Sequence, residues 1–290
     1  MEFKYNKGEH TRMKKLLIIG IVMFVAFFSL GSLVWFVHDK SILPNEEVHK
    51  TFSDENVQDI TVSGKKSNIK VVQGNQLKLN YNGEKPINYS IHNGILKISE
   101  KQKNDIAPSI NPFKKNKQNM TIEVPKKKLN DINVSTDVGD IHFDGVHAKT
   151  ATIWNNISDV NFTKSKVDSV EIKSESSRLS FNQTSFDNGN IKIDNGSIKG
   201  NNSIIRDSVF IIGRGNINLK NMKKACDLKA FAKNGSINFA YKDKPEDTLL
   251  KLNPSDGKKI VNNPNFEDEK TGDGKNILEF YTNHGDIEIN

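Results

Sequence analysis

Residues 137–143 read Asp137-Val138-Gly139-Asp140-Ile141-His142-Phe143: a small residue, then alternating apolar and polar side chains. The phrase returns as Asp159-Val160-Asn161-Phe162, Arg178-Leu179-Ser180-Phe181, Gly196-Ser197-Ile198, Gly215-Asn216-Ile217-Asn218-Leu219 and Gly235-Ser236-Ile237-Asn238-Phe239. Its aliphatic position falls at Ile141, Val160, Leu179, Ile198, Ile217 and Ile237, at spacings of 19, 19, 19, 19 and 20. A further copy, His284-Gly285-Asp286-Ile287-Glu288-Ile289, lies at the end of the sequence.

Two more apolar columns keep step with the first. One runs seven residues ahead: Val134, Ile153, Ile172, Ile191, Phe210, Ala230 and Phe280. The other lies two residues behind: Phe143, Phe162, Phe181, Leu219, Phe239 and Ile289, broken at Gly200. The column two before the aliphatic position is always small: Gly139, Ser158, Ser177, Gly196, Gly215, Gly235 and Gly285. Each unit therefore reads as strand, corner, strand, and glycine at the corner lets the backbone take a positive φ.

A fixed period near twenty residues marks a stacked solenoid, in which each coil covers its neighbour's open edge. The phrase L-x-x-L-x-L-x-x-N of a leucine-rich horseshoe does not recur, and no ten-residue helical stripe follows residue 38. The expected fold is all-β: a parallel β-solenoid of about 19-residue coils over residues 120–290. About seven to nine coils rising about 4.8 Å each would make a rod on the order of 35–45 Å. Residues 57–100 read as short alternating strands forming a cap region, and residues 101–119 as a polar loop. Residues 241–276 leave the period, with a degenerate coil expected at residues 255–260.

Residues 16–37 carry no charge. As a helix they would measure about 33 Å, enough to cross a bilayer core of about 30 Å. Lys4, Lys7, Arg12, Lys14 and Lys15 precede them, which orients the N-terminus to the cytoplasm. A cleaved signal peptide is disfavoured by the length of this stretch and by the lack of an A-x-A-like site. The expected order is a cytoplasmic tail (1–15), a transmembrane helix (16–37) and a linker (38–56), with the C-terminal domain extracytoplasmic at the cell membrane.

The composition is 35% hydrophobic with a net charge of +7. Residues 1–40 hold six Lys/Arg and three Asp/Glu, so 36 minus 32, or +4, is left for the remaining residues. Arginine occurs only at Arg12, Arg178, Arg206 and Arg214, too sparse for phosphate or base recognition, so a nucleic-acid partner is not expected. The single cysteine, Cys226, excludes an internal disulfide framework and any Cys-based zinc cluster, and it has no evident histidine partner as a nucleophile.

No nucleophile-elbow, zincin, P-loop or dinucleotide motif is present, and no catalytic residue or cofactor is expected. Asp140, His142 and Asp144 alternate onto one outer face and form the one candidate metal trio. The equivalent positions in the next coils are Asp159, Asn161, Thr163 and Arg178, Ser180, Asn182, which is the pattern of a solvated polar face. Lys114, Lys115 and Lys117 in the loop, with Lys126, Lys127 and Lys128, could contact an anionic cell-wall polymer or lipid headgroups. Two alternatives stand beside a non-catalytic binding module. One is a polysaccharide-active β-helix enzyme, which needs carboxylates clustered across coils. The other is an accessory subunit that biases a membrane-protein partner in an envelope-stress system.

From Met120 the chain reads MTIEVPKKKLNDINVSTDVGDIHF. It has I-x-V-P at residues 122–125, L-x-x-I-x-V at 129–134, recurring G-[DSN]-I phrases and a closing repeat at 283–289. In these features it resembles the bacterial adhesin-like β-strand-repeat domains of unknown function, which include LiaG-like envelope proteins. The resemblance runs over residues 57–290. It implies a parallel β-solenoid-like ectodomain, an envelope location and no catalytic residues to carry over. Ser158 and Ser177 depart from the family's usual glycine, and the Lys-rich loop is longer than usual.

Overall fold

The computed structural model describes residues 7–38, 46–53, 56–84, 86–101, 118–223 and 227–290. The chain divides into two units, Met1–Asn45 and Glu46–Asn290. The first holds one α-helix, Lys7–His38, whose segment Lys14–Val34 is long and apolar enough to span a membrane. Its large apolar side chains between Leu16 and Val34, among them Phe24 and Phe27, are exposed.

The second unit is a parallel β-solenoid, and its ladders pair the columns expected from the repeat. Val134, Ile153, Ile172, Ile191, Phe210, Ala230 and Phe280 are consecutive in-register neighbours across the coils. So are Ile141, Val160, Leu179, Ile198, Ile217, Ile237 and Ile287. All fourteen side chains are buried. The low hydrophobic share is thus sufficient, because each strand turns only alternate residues inward. Within His147–Thr163 the ladder skips Lys149 and Asn156, and Lys166–Asn182 skips Asp168 and Glu175 in the same places. The chain bends there, so that one long strand wraps around the core.

The stack has ten levels among the described residues, about 43 Å for nine steps of about 4.8 Å. Residues 129–289 supply eight of these levels, within the seven to nine expected, and two more lie at the N-terminal end. The region expected as a cap supplies a coil of its own. Asp59–Gly64 and Ser67–Gly74 stack in parallel on Leu129–Val138 and Ile141–Asp144. Ile95–Glu100 and Gln118–Pro125 then form the outermost level, separated in sequence but joined in space. At the other end, Thr248–Asp256 and Lys259–Val261 are the coil signalled at residues 255–260. That coil is outermost, and Asn276–His284 with Ile287–Ile289 inserts between it and Leu228–Asn234 with Ile237–Tyr241.

A parallel stack leaves a strand edge at each end, open to pairing with other chains. Antiparallel strands cover part of it. Lys78–Gly83 lies on Gln118–Pro125, Glu46–Thr51 on Lys78–Gly83, and Ile87–His92 on Ile95–Glu100. The short strand Lys270–Thr271 does the same against Thr248–Asp256.

The glycines of the corner column are required where they stand. Gly215 has φ +129°, and a Cβ there would lie 1.7 Å from the carbonyl oxygen of Gly196 in the adjacent coil. Ser158 and Ser177, in the same column, lie outside the positive-φ region and turn their side chains inward. The corner therefore has two geometries, and serine fits the second.

Candidate functional site

The outward face shows how the solenoid spends its polar residues. Arg178 pairs with Asp159 and Arg206 with Asp187, while Arg214 Nε donates to Asn195 Oδ1 at 2.6 Å. Each arginine reaches back nineteen residues, to the coil before it. Asp159 holds the Arg178 guanidinium still more firmly protonated than usual, by hydrogen bonding and by charge. Amide ladders run the same way: Asn201 Nδ2 donates to Asn182 Oδ1 at 3.1 Å, and Asn221 Nδ2 to Asn201 Oδ1 at 2.9 Å. Carboxylates on neighbouring coils are thus bonded along the axis.

The candidate metal trio is not gathered into a site. Asp140 Oδ1 accepts the backbone N–H of Asp159 at 3.2 Å. His142 stands in register between Lys70 and Asn161. Its pKa lies below the ordinary value because the ring is partly buried and Lys70 is near, with Asp144 opposing. Among the described residues no three His, Cys, Asp or Glu are placed to hold a metal ion. Of the Lys clusters, Lys128 pairs with Asp168 and Lys126 is exposed, whereas Lys114, Lys115 and Lys117 lie outside the described residues, as does Cys226.

The feature that sequence reading missed is a groove of about 590 Å³ running across five coils. One wall is the register column Ser63, Ser135, Trp154, Lys173 and Lys192. The floor holds Thr136, Asn155 and Ser174, and the opposite rim carries Asp137, Glu175 and Asp194. Trp154 is 57% exposed, and Lys173 Nζ stands 5.6 Å from its ring centroid. On its other side the in-register neighbours are only Ser135 and, one coil further, Ser63. Beyond the corner, Ile157 and Val138 are in-register neighbours and are also exposed. Beneath, Asn155 is 5% exposed and Ser174 8%, yet Asn155 Oδ1 and Ser174 Oγ have no hydrogen-bond partner. The signal was present as a break in the inward column. Ile193, Ile212 and Ala232 are preceded there by Thr136, Asn155 and Ser174, which trade packing for polarity.

Several solved structures are similar to this chain. A "putative adhesin" of Parabacteroides distasonis shares 13% identity at a TM-score of 0.49, covering 85% of this chain and 98% of that one. A "putative adhesin" of Bacteroides fragilis shares 15% at 0.48, covering 84% and 97%. A "putative cell adhesion protein" of Clostridium sporogenes shares 11% at 0.31, covering 85% and 99%. No curated protein matches the chain. The Toastrack DUF4097 family profile matches residues 57–290, the span over which the repeat and both end coils are built. The chain belongs to the Toastrack DUF4097 family.

Proposed function

We propose that this protein is a non-catalytic binding module of the cell envelope, held at the membrane by its N-terminal helix with the solenoid on the extracytoplasmic side. The observation that carries this reading is the order of parts. An uncharged stretch, residues 16–37, follows a basic N-terminal stretch and precedes a rigid repeat domain. The state of the outward acids supports the non-catalytic part. Acid–base cleavage of a polysaccharide needs two free carboxylates facing one bond. Asp159 and Asp187 are instead paired to arginines of the next coil, and the groove acids Asp137, Glu175 and Asp194 all stand on one rim, so they do not face one another across a bound chain. The rod holds its surface in fixed register, so repeated weak contacts with a polymer or with a membrane-protein partner add up.

Topology is tested with single cysteines in a Cys226→Ser background and a membrane-impermeant maleimide. Lys126→Cys is expected to label on intact cells, and Lys4→Cys only after lysis. The reverse pattern would place the solenoid in the cytoplasm and overturn the reading.

A further inference from the structure

We propose that the groove beside Trp154 binds a carbohydrate chain of uncharged, hydroxyl- and acetamide-bearing sugars, laid along the solenoid axis. The inference rests on the reading of the solenoid as an envelope-facing binding module and names the class of polymer it would hold.

Four features of the groove carry it. The first is Trp154 itself. One side of its ring is taken by Lys173, and the other has only two serines beside it, which leaves a shelf the width of a flat ring. The C–H face of a pyranose is apolar and weakly positive, and the face of an indole is negative, so the two stack. The second is charge. Lys173, which also pairs with Glu171, and Lys192 stand on the Trp154 wall, while Lys65 lies beside Asp137 on the opposite rim with Glu175 and Asp194, so the lining holds three cations and three carboxylates. A polyanion would gain from one rim and be repelled by the other, whereas alternating hydroxyls and amides bond to both. The third is the floor. The partnerless Asn155 Oδ1 and Ser174 Oγ suit a ligand rich in donors. The fourth is length. Five coils span about 19 Å at about 4.8 Å per step, room for several sugars end to end.

The test uses the full chain in detergent or lipid nanodiscs, with N-acetylglucosamine oligomers of increasing length as probes. The chain has two tryptophans, so Trp35→Phe leaves Trp154 as the only indole reporter. Emission from Trp154 is expected to shift on titration, with affinity rising as the oligomer lengthens. By calorimetry, Trp154→Ala should weaken binding about tenfold or more and Trp154→Phe about threefold. Ser135→Trp, which fills the shelf and leaves Trp154 in place, should abolish it. Added salt should change the affinity less than twofold, since the rims carry no net charge.

The inference is overturned if no oligomer perturbs Trp154 or if Trp154→Ala binds as well as the parent chain. It is equally overturned if a polyglycerol phosphate binds in a salt-sensitive way while neutral sugars do not, or if an envelope protein is held through Trp154 while no oligosaccharide is. Its failure is separable from that of the parent reading. Labelling of Lys126→Cys outside the cell, with no sugar bound, removes only the groove assignment. A cytoplasmic solenoid removes the parent reading whatever the titration shows.

Discussion

The ring of Phe181 occupies the space in front of Gly200: a Cβ on Gly200 would stand 2.3 Å from Phe181 Cε2 and 2.8 Å from Leu219 Cδ2. The gap in the aromatic column is therefore filled from the coils on either side. Phe181 also meets Phe186 edge-on at 5.3 Å and Phe210 at 6.2 Å, tying that filling to the neighbouring levels.

Gly200→Ala is expected to cost about 1–3 kcal/mol by overpacking. Phe181→Leu alone should also destabilise, by opening a cavity. Combined, the two should cost less than the sum of the single changes, because the smaller side chain makes room for the new methyl. Urea midpoints of the four proteins check this, and strict additivity would contradict the shared space.

The corner column predicts opposite responses at two equivalent positions. Gly215→Ala forces an alanine to φ +129° against the Gly196 carbonyl oxygen, and a loss of at least about 3 kcal/mol is expected. Ser177→Gly should cost about 1 kcal/mol or less, since serine there needs no positive φ and its Oγ has no hydrogen bond to lose. Thermal denaturation of the two variants gives the comparison.

A hydroxyl ladder closes the turns of three successive coils. Thr184 Oγ1 donates to Asn182 O at 3.1 Å and accepts the N–H of Ser165, while the Thr184 N–H donates to Ser203 Oγ at 3.1 Å. Ser165, Thr184 and Ser203 are all buried. Thr184→Val removes the hydroxyl and keeps the shape, and the orphaned backbone groups should cost about 1–3 kcal/mol. Thr184→Ser should stay within about 1 kcal/mol. Amide exchange at Ser165, faster in Thr184→Val and unchanged in Thr184→Ser, is the local readout.

His142 gives a pH dependence whose sign is fixed. Burial first, and then Lys70, hold its pKa below the ordinary 6.5, while Asp144 pulls the other way. The unfolded chain then takes up the proton before the folded one does. Its stability contribution is complete above about 6.5 and declines as the pH falls through the window down to the folded value. Lys70→Gln should raise the pKa and shrink that decline, and Asp144→Asn should lower the pKa further. Titration of the His142 ring proton by NMR follows both shifts.

The solenoid was legible in the sequence because its determinants are one-dimensional. Ile141, Val160 and Leu179 lie nineteen residues apart, and in-register stacking brings them together as consecutive neighbours. The end coils were less legible because they break that relation. Met120 stacks on Ile69 across 51 residues, and Ile287 lies between Ile237 and Lys259, out of chain order. The turn column was readable in hindsight. Ser165, Thr184 and Ser203 recur every nineteen residues, directly after the positive-φ residues Lys164, Gln183 and Asn202. The groove was illegible for another reason. Trp154, Lys173 and Lys192 share one repeat position, nineteen residues apart, but their side chains differ, so no repeated residue type marks the surface that their stacking makes.

On the function proposed above, the solenoid surface binds the envelope and does not cut it. The direct measurement incubates the full chain in lipid nanodiscs with purified cell-wall fragments, then sediments the fragments and analyses the polymer. The protein is expected to pellet with the wall and to leave the polymer's length distribution unchanged. Protein left wholly in the supernatant, or a polymer shortened by incubation, would contradict it.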